Sequence, residues 1–325
     1  MGMPRTRTKA VLPYLKFLIA ATLFGILALN VRHDLNLFSV SAFQPEIPQL
    51  VLAQCLFIVY VVICAMIWLY LTRRQGIAVA CRSTISIWCF SIVGKYIPGK
   101  ALLYGIRWYL YRKVDHGIKT VDIVKAFVLE YLSGLATGLI LILTILIPMN
   151  LSFIPWFGSM AGILTLAVIL GSMHPGVLGF LAQLATTRFG FKSSSLDIQY
   201  TDLLRMLLLS LLNWLLLGLS IFFIAKAIDP SVTWSLYLYI AASYTLAGMA
   251  GFLVAIAPAG LGVREAVLIL ALDQVMPVQT ATYIAITARL VTTAGEAFCI
   301  TAAWITDWRS ETFERVAEAW SEARS

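Results

Sequence analysis

Apolar residues run along this chain in long unbroken blocks. Residues 47–72, 131–173, 206–225 and 230–263 carry no charged side chain. About 20 residues of helix cross the hydrocarbon core of a bilayer, so each block holds one crossing and the two longest hold a crossing plus a turn. With the shorter apolar stretches, the pattern predicts full spans over 11–30, 49–71, 122–147, 156–173, 203–225 and 278–305. The expected fold class is all-α, a polytopic integral membrane protein of about six full spans.

Two segments, 77–113 and 234–273, fit this scheme poorly. Each has an apolar arm, a proline with glycine, and a second arm: "IVGKYIPGKALLYG" and "LVAIAPAGLGVREA". The second arms, 99–113 and 259–273, are short, about 22 Å as helix at 1.5 Å per residue, and do not reach across. Each segment therefore reads as a re-entrant helical hairpin, because broken backbone at membrane depth is tolerated only where protein or water surrounds it. The alternative reading makes 77–97 and 234–257 complete spans, with eight crossings and no symmetry.

Basic residues set the orientation. With Arg5, Arg7 and Lys9 in the cytoplasm, the connections bearing Arg73, Arg74, Arg82, Arg107, Arg112, Lys113, Lys119, Arg188, Lys192 and Arg205 also fall inside. Only Arg32 and Lys226 fall outside, as the positive-inside rule requires. Three spans separate the hairpins, so they enter from opposite faces and their tips can meet near the midplane. This is an inverted repeat with discontinuous helices, as in secondary transporters; its halves run over about 77–147 and 234–305. Placing Pro98 on Pro258 also sets Glu130 beside the position that matches Arg289.

Composition changes the picture little. The chain is 60% hydrophobic and 12% charged, with a mean hydropathy of +0.88, whereas soluble domains carry roughly a quarter charged residues. Residues 1–306 are expected to form a single transmembrane domain and 307–325 a cytoplasmic tail whose Phe313, Val316, Ala317 and Trp320 lie on the membrane surface. The N-terminus has the basic start and apolar stretch of a signal peptide but no convincing cleavage site, so it reads as a retained first helix. Cys55, Cys64, Cys81, Cys89 and Cys299 lack metal-ligand spacing and read as packing residues.

Candidate chemistry lies in the charges that fall at membrane depth, where each costs on the order of 3 kcal/mol or more. Arg264 and Glu265 are adjacent, so on a helix they diverge by about 100° and need other partners. Arg289 and Glu296 share one face of the last span. Arg264 with Glu296, or Glu265 with Arg289, are candidate pairs. Helix N-termini at the tips would offer free amides and partial positive charge, with Gly99, Gly260 and Gly262 allowing close approach. Arg264, Arg289 and Lys100, with Lys95 nearby, complete a site for a phosphate-bearing head group, while Glu265, Glu296 and Glu130 balance charge or carry a proton. Lys95, Lys100 and Arg107 have the competing option of snorkelling to the cytoplasmic face. His174 reads as a capping residue, and Asn213-Trp214 as an interhelical hydrogen-bonding pair. No P-loop, zinc-protease motif, nucleophile elbow or metal-ligand cluster is present, so neither catalytic residues, metal nor cofactor are expected, and no enzyme.

"GKYIPGK" at 94–100 and "PAGLGVREA" at 258–266 resemble the two signature motifs of the lysylphosphatidylglycerol synthase transmembrane region family. Members commonly read P-G-G-L-G-x-R-E at the second, where only Ala259 departs. Many read P-G-x-x-G-E at the first; here Leu102 and Leu103 replace the glycine and the acid, matching a "YIPGK" variant associated with envelope-glycan gene neighbourhoods. The resemblance implies re-entrant helices from both faces and movement of lipid head groups between leaflets. In the aminoacyl-lipid synthases this membrane part precedes a soluble transferase domain; here the chain ends at Ser325, so the translocating part alone is expected. The expected function is a flippase-like lipid translocase of the inner membrane, with both termini cytoplasmic, acting on a phospholipid or polyprenyl-phosphate-linked glycan and working with envelope glycan enzymes. Alternatives are a small-anion secondary transporter and a membrane scaffold.

Overall fold

The structure, a computed structural model, describes residues 45–96, 101–148, 156–174, 176–177, 180, 199–254 and 258–307. The expected span over 11–30 and the tail over 308–325 lie outside the described residues. Nine α-helices are described: α1 (Ile47–Arg74), α2 (Cys81–Ser91), α3 (Ala101–Val114), α4 (Thr120–Ile145), α5 (Trp156–Ser172), α6 (Tyr200–Ile228), α7 (Tyr237–Leu253), α8 (Val263–Leu272) and α9 (Val278–Asp307). Three 3-10 turns interrupt them, Ile92–Tyr96, Trp234–Leu236 and Pro258–Gly260.

Charges at the helix ends follow the helix dipole. Arg73 and Arg74 close α1, Asp122 opens α4, and α6 opens with Asp202 and closes with Lys226. Between the ends, apolar side chains face outward and small polar ones inward. Along α6, Leu204, Leu208 and Leu212 are exposed while Ser210 and Asn213 are buried. A soluble helix does the reverse. In hydrocarbon, polar groups gain by facing one another inside the bundle.

Five helical stretches are long and apolar enough to cross a membrane: Ile47–Arg74, Thr120–Ile145, Tyr200–Ile228, Trp234–Leu253 and Val278–Ala303. The chain is an all-helical, multi-pass membrane protein. Four of these stretches match expected spans. The segment expected to cross over 156–173 forms a helix of 17 residues, about 26 Å and short of a 30 Å core. Conversely, the first arm of the second broken segment, read as half of a hairpin, reaches crossing length.

Both broken segments fold back on themselves. In α2–α3, a Cβ on Gly94 would meet the Leu103 backbone nitrogen at 2.4 Å, and Arg107 Nε donates to Ser91 Oγ at 3.1 Å. In α7–α8, Gly251 backs onto Gly260 near the tip while the Tyr239 hydroxyl donates to the Ala271 carbonyl near the open end. The arms of each pair are thus antiparallel, and the 3-10 turns at the two tips pack on one another. Two apolar clusters place the open ends. The first joins Tyr111 of α3 to Trp68 late in α1, Ile123 early in α4 and Met206 early in α6. The second joins Tyr239 and Leu272 of α7–α8 to Phe57 early in α1, Leu146 just after α4 and Ile224 late in α6. The two hairpins therefore open toward opposite ends of the bundle.

Candidate functional site

The tip of α7–α8 is built on unusual backbone. Ala259, Gly260 and Gly262 have φ of 50°, 69° and 81°, left-handed values that glycine adopts without steric cost. At Gly260 there is a second requirement, since a Cβ would lie 2.9 Å from the Gly251 backbone. Glu265, in the first turn of α8, reaches back so that the Gly262 amide donates to its Oε2 at 2.7 Å. One amide expected to await an anion is therefore filled by the chain's own carboxylate, half of a capping box.

Arg289 of α9 ties this tip down. Its Nη1 donates to the Ala259 carbonyl at 3.2 Å and lies 3.7 Å from Glu265 Oε1. Of the two pairings the charge pattern offers, Glu265 with Arg289 forms and Arg264 with Glu296 does not. Instead the Arg264 guanidinium donates to the Tyr244 hydroxyl and sits 4.3 Å from the centre of that ring, a cation–π geometry. Glu296, buried on α9, is bound from the other hairpin: Lys95 pairs with Oε1, and the Tyr96 hydroxyl donates to Oε2 at 2.7 Å.

Lys95 is thus held at the junction of the two tips rather than snorkelling. The charge pattern set Lys95 near the anion site with snorkelling as its competing option; Tyr96 and Tyr244 it missed. The signal was the short distance of Lys95 from Pro98, but only the folded packing of the α2–α3 tip against α9 brings it to Glu296. Gly99 and Lys100 lie outside the described residues. Lys95, Arg264 and Arg289 stand against Glu265 and Glu296, an excess of one positive charge. Between the hairpins is a cavity of about 160 Å³ whose lining includes the cations Lys95 and Arg264 and the apolar or aromatic Leu103, Tyr104 and Phe252. An anion with an apolar appendage matches that wall.

Glu130 lies elsewhere. Its carboxylate accepts from Arg107 Nη1 at 2.8 Å and Trp88 Nε1 at 3.2 Å. Arg107, expected to snorkel, is instead buried, with its guanidinium 4.4 Å from the Trp68 ring centre and 5.3 Å from that of Phe127. An arginine so desolvated needs its carboxylate, since one buried charge without the other costs several kcal/mol. Across the bundle the arrangement repeats with reversed sign. The second arm of one hairpin carries Arg107 and the following helix Glu130; the second arm of the other carries Glu265 and the following helix Arg289.

His174 Nδ1 accepts from the Gly176 amide at 3.1 Å, a local cap. Asn213 Nδ2 donates to Cys64 Sγ at 2.9 Å and Trp214 Nε1 to the Gly134 carbonyl at 3.0 Å, the interhelical bonds expected of that pair. The five cysteines are free thiols: Cys89 and Cys299 are buried, and Cys55 is exposed. Among the described residues no group of three His, Cys, Asp or Glu side chains could hold a metal ion.

A comparison with curated proteins gave no match. The family model described as the lysylphosphatidylglycerol synthase TM region matches residues 14–296, and the chain belongs to that family, of which it carries the membrane part.

Proposed function

We propose that this protein moves a phosphate-bearing lipid head group, of a phospholipid or a polyprenyl-phosphate-linked glycan, between the leaflets of the inner membrane. The observation that carries this reading is Arg264. It lines the cavity between the tips, its hydrogen-bond partner is a neutral tyrosine, and no carboxylate pairs with it among the described residues. Arg264 is half-buried at membrane depth, where a cation without a counter-ion is costly, and a phosphate supplies one with charge-assisted hydrogen bonds. Arg289 holds the tip that presents Arg264, and Lys95 adds a second cation to the cavity wall. Leu103 and Phe252 leave an apolar side for the remainder of an amphiphile.

In this reading α2–α3 and α7–α8 are re-entrant hairpins of an inverted repeat, one dipping from each face. The opposed open ends, the touching tips and the sign-reversed pairs Arg107–Glu130 and Glu265–Arg289 support it. Both termini are then cytoplasmic, and Glu296 of α9, bound by Lys95 and Tyr96, is the group through which proton coupling would act on the α2–α3 tip. Partners are membrane lipids and, for a glycan cargo, envelope glycan enzymes; no enzymatic step or cofactor is assigned.

Native mass spectrometry of the protein in mild detergent tests the proposal, wild type beside Arg264→Ala/Arg289→Ala. The wild type is expected to retain a phosphate-bearing lipid that the double variant loses. Retention of the same lipids by both would remove the phosphate site and leave the arginines a structural role.

A further inference from the structure

A second cavity, of about 130 Å³, lies beside the first and is not used by the phosphate site. Glu130, Ser210, Asn213, Trp214, Tyr60 and the backbone of Gly134 line it. Trp214 links the two linings: its indole nitrogen bonds the Gly134 carbonyl in the second, and its far ring edge lies 3.8 Å from where a Cβ of Gly248, a residue lining the first, would be.

The lining is electrically neutral, because Arg107 cancels the charge of Glu130 at 2.8 Å and no other charged side chain lines it. It is also rich in hydrogen-bond acceptors. Asn213 is 8% exposed, and its buried Oδ1 has no hydrogen-bond partner. The Glu130 carboxylate takes two donors and has lone pairs for more. The Ser210 hydroxyl, whose hydrogen goes to Ser133 Oγ, also has free lone pairs. A buried acceptor left unmade is costly, so this wall favours a donor. A second cation would leave an uncompensated charge at membrane depth, and an ordinary apolar group would leave Asn213 Oδ1 bare. A neutral group bearing several hydroxyls meets both conditions, and the aromatic faces of Tyr60 and Trp214 suit its C–H edges.

We propose that this cavity is the subsite for an uncharged polyhydroxy head group, a polyol or sugar, attached to the phosphate held between the hairpin tips. The inference rests on the lipid-phosphate reading above and narrows it to phosphodiester lipids with a hydroxylated, uncharged head.

The test uses two phosphodiester lipids of equal charge, phosphatidylinositol and phosphatidylmethanol, titrated onto the purified full-length protein and read by native mass spectrometry. Wild type is expected to bind phosphatidylinositol about tenfold more tightly, the effect of one or two net hydrogen bonds. Asn213→Leu and, independently, Ser210→Ala are expected to reduce that preference while phosphatidylmethanol still binds. Arg264→Ala is expected to weaken both lipids. Equal binding of the two lipids by wild type, with both still sensitive to Arg264→Ala, would overturn the hydroxyl subsite and leave the phosphate site standing. Binding of both lipids that is indifferent to Arg264→Ala would overturn the phosphate reading and this inference with it.

Discussion

At the scale of single residues, the site is a set of charges, Glu296 buried and the rest half-buried, most of which hold one another in place. Glu296 is buried and engaged by Lys95 and Tyr96, residues two hundred positions away. Removing one member of such a pair strands the other, at a cost of about 3–5 kcal/mol, whereas removing both is far milder. Lys95→Met and Glu296→Gln are each expected to lower the thermal unfolding midpoint in detergent, and the double variant to recover most of the loss. Additive losses would mean the two side chains act independently. Glu296, Arg289 and Arg264 were legible as candidates because charge in an apolar run is conspicuous. Lys95 and Arg107 were less so, since a lysine or arginine near a helix end has the cheaper option of reaching for water.

At the scale of the element, the hairpins depend on backbone approach. Gly94 and Gly260 each sit where a side chain would collide with the returning arm. Ala259, by contrast, holds φ of 50° with a Cβ in place, a conformation that costs an L-residue about 1–2 kcal/mol. Ala259→Gly is therefore expected to be neutral or stabilising by about 1 kcal/mol. Gly260→Ala is expected to destabilise by about 1–3 kcal/mol through the left-handed φ alone, with the Gly251 contact adding to it. Denaturation followed by tryptophan fluorescence would separate the two; equal effects would show that the tip tolerates a side chain at either place. The proline–glycine pattern foretold a break and a return, and the antiparallel arms of both segments agree. It did not foretell that the first arm, Trp234–Leu253, reaches crossing length, because a break in sequence marks where a helix stops and not how far the preceding arm has run.

At the scale of the whole molecule, the prediction concerns sidedness. In a cysteine-free background, Ala78→Cys and His116→Cys flank α2–α3, and Ser231→Cys and Asp273→Cys flank α7–α8; all four positions are exposed. The proposed topology expects a membrane-impermeant maleimide to label the first pair from the cytoplasmic side of intact cells' membranes and the second pair from the opposite side. Members of one pair labelling from different sides would turn that hairpin into a full crossing and remove the inverted repeat. The charge of the connections already pointed to this arrangement. Arg74, Lys119 and Arg205 gather at the end where α2–α3 opens, and there Arg74 binds Asp202 at 2.9 Å.

Membrane residence, helical class, the two broken segments and most of the charged candidates were determined by the sequence alone. Each follows from a local quantity, the length of an apolar run or a proline, glycine or charge within it, which lipid permits only in a few forms. Which charges meet was decided by the tertiary structure. Arg264 turned to Tyr244, Glu296 to the opposite hairpin, and Glu130 to Arg107 beside a second cavity. Glu296 meets Lys95 across 201 positions, whereas Arg264–Tyr244 and Arg107–Glu130 close over 20 and 23 within a broken segment or onto the helix after it. Contacts at any of these separations depend on how the arms fold back and pack, and leave no periodicity in either partner to read.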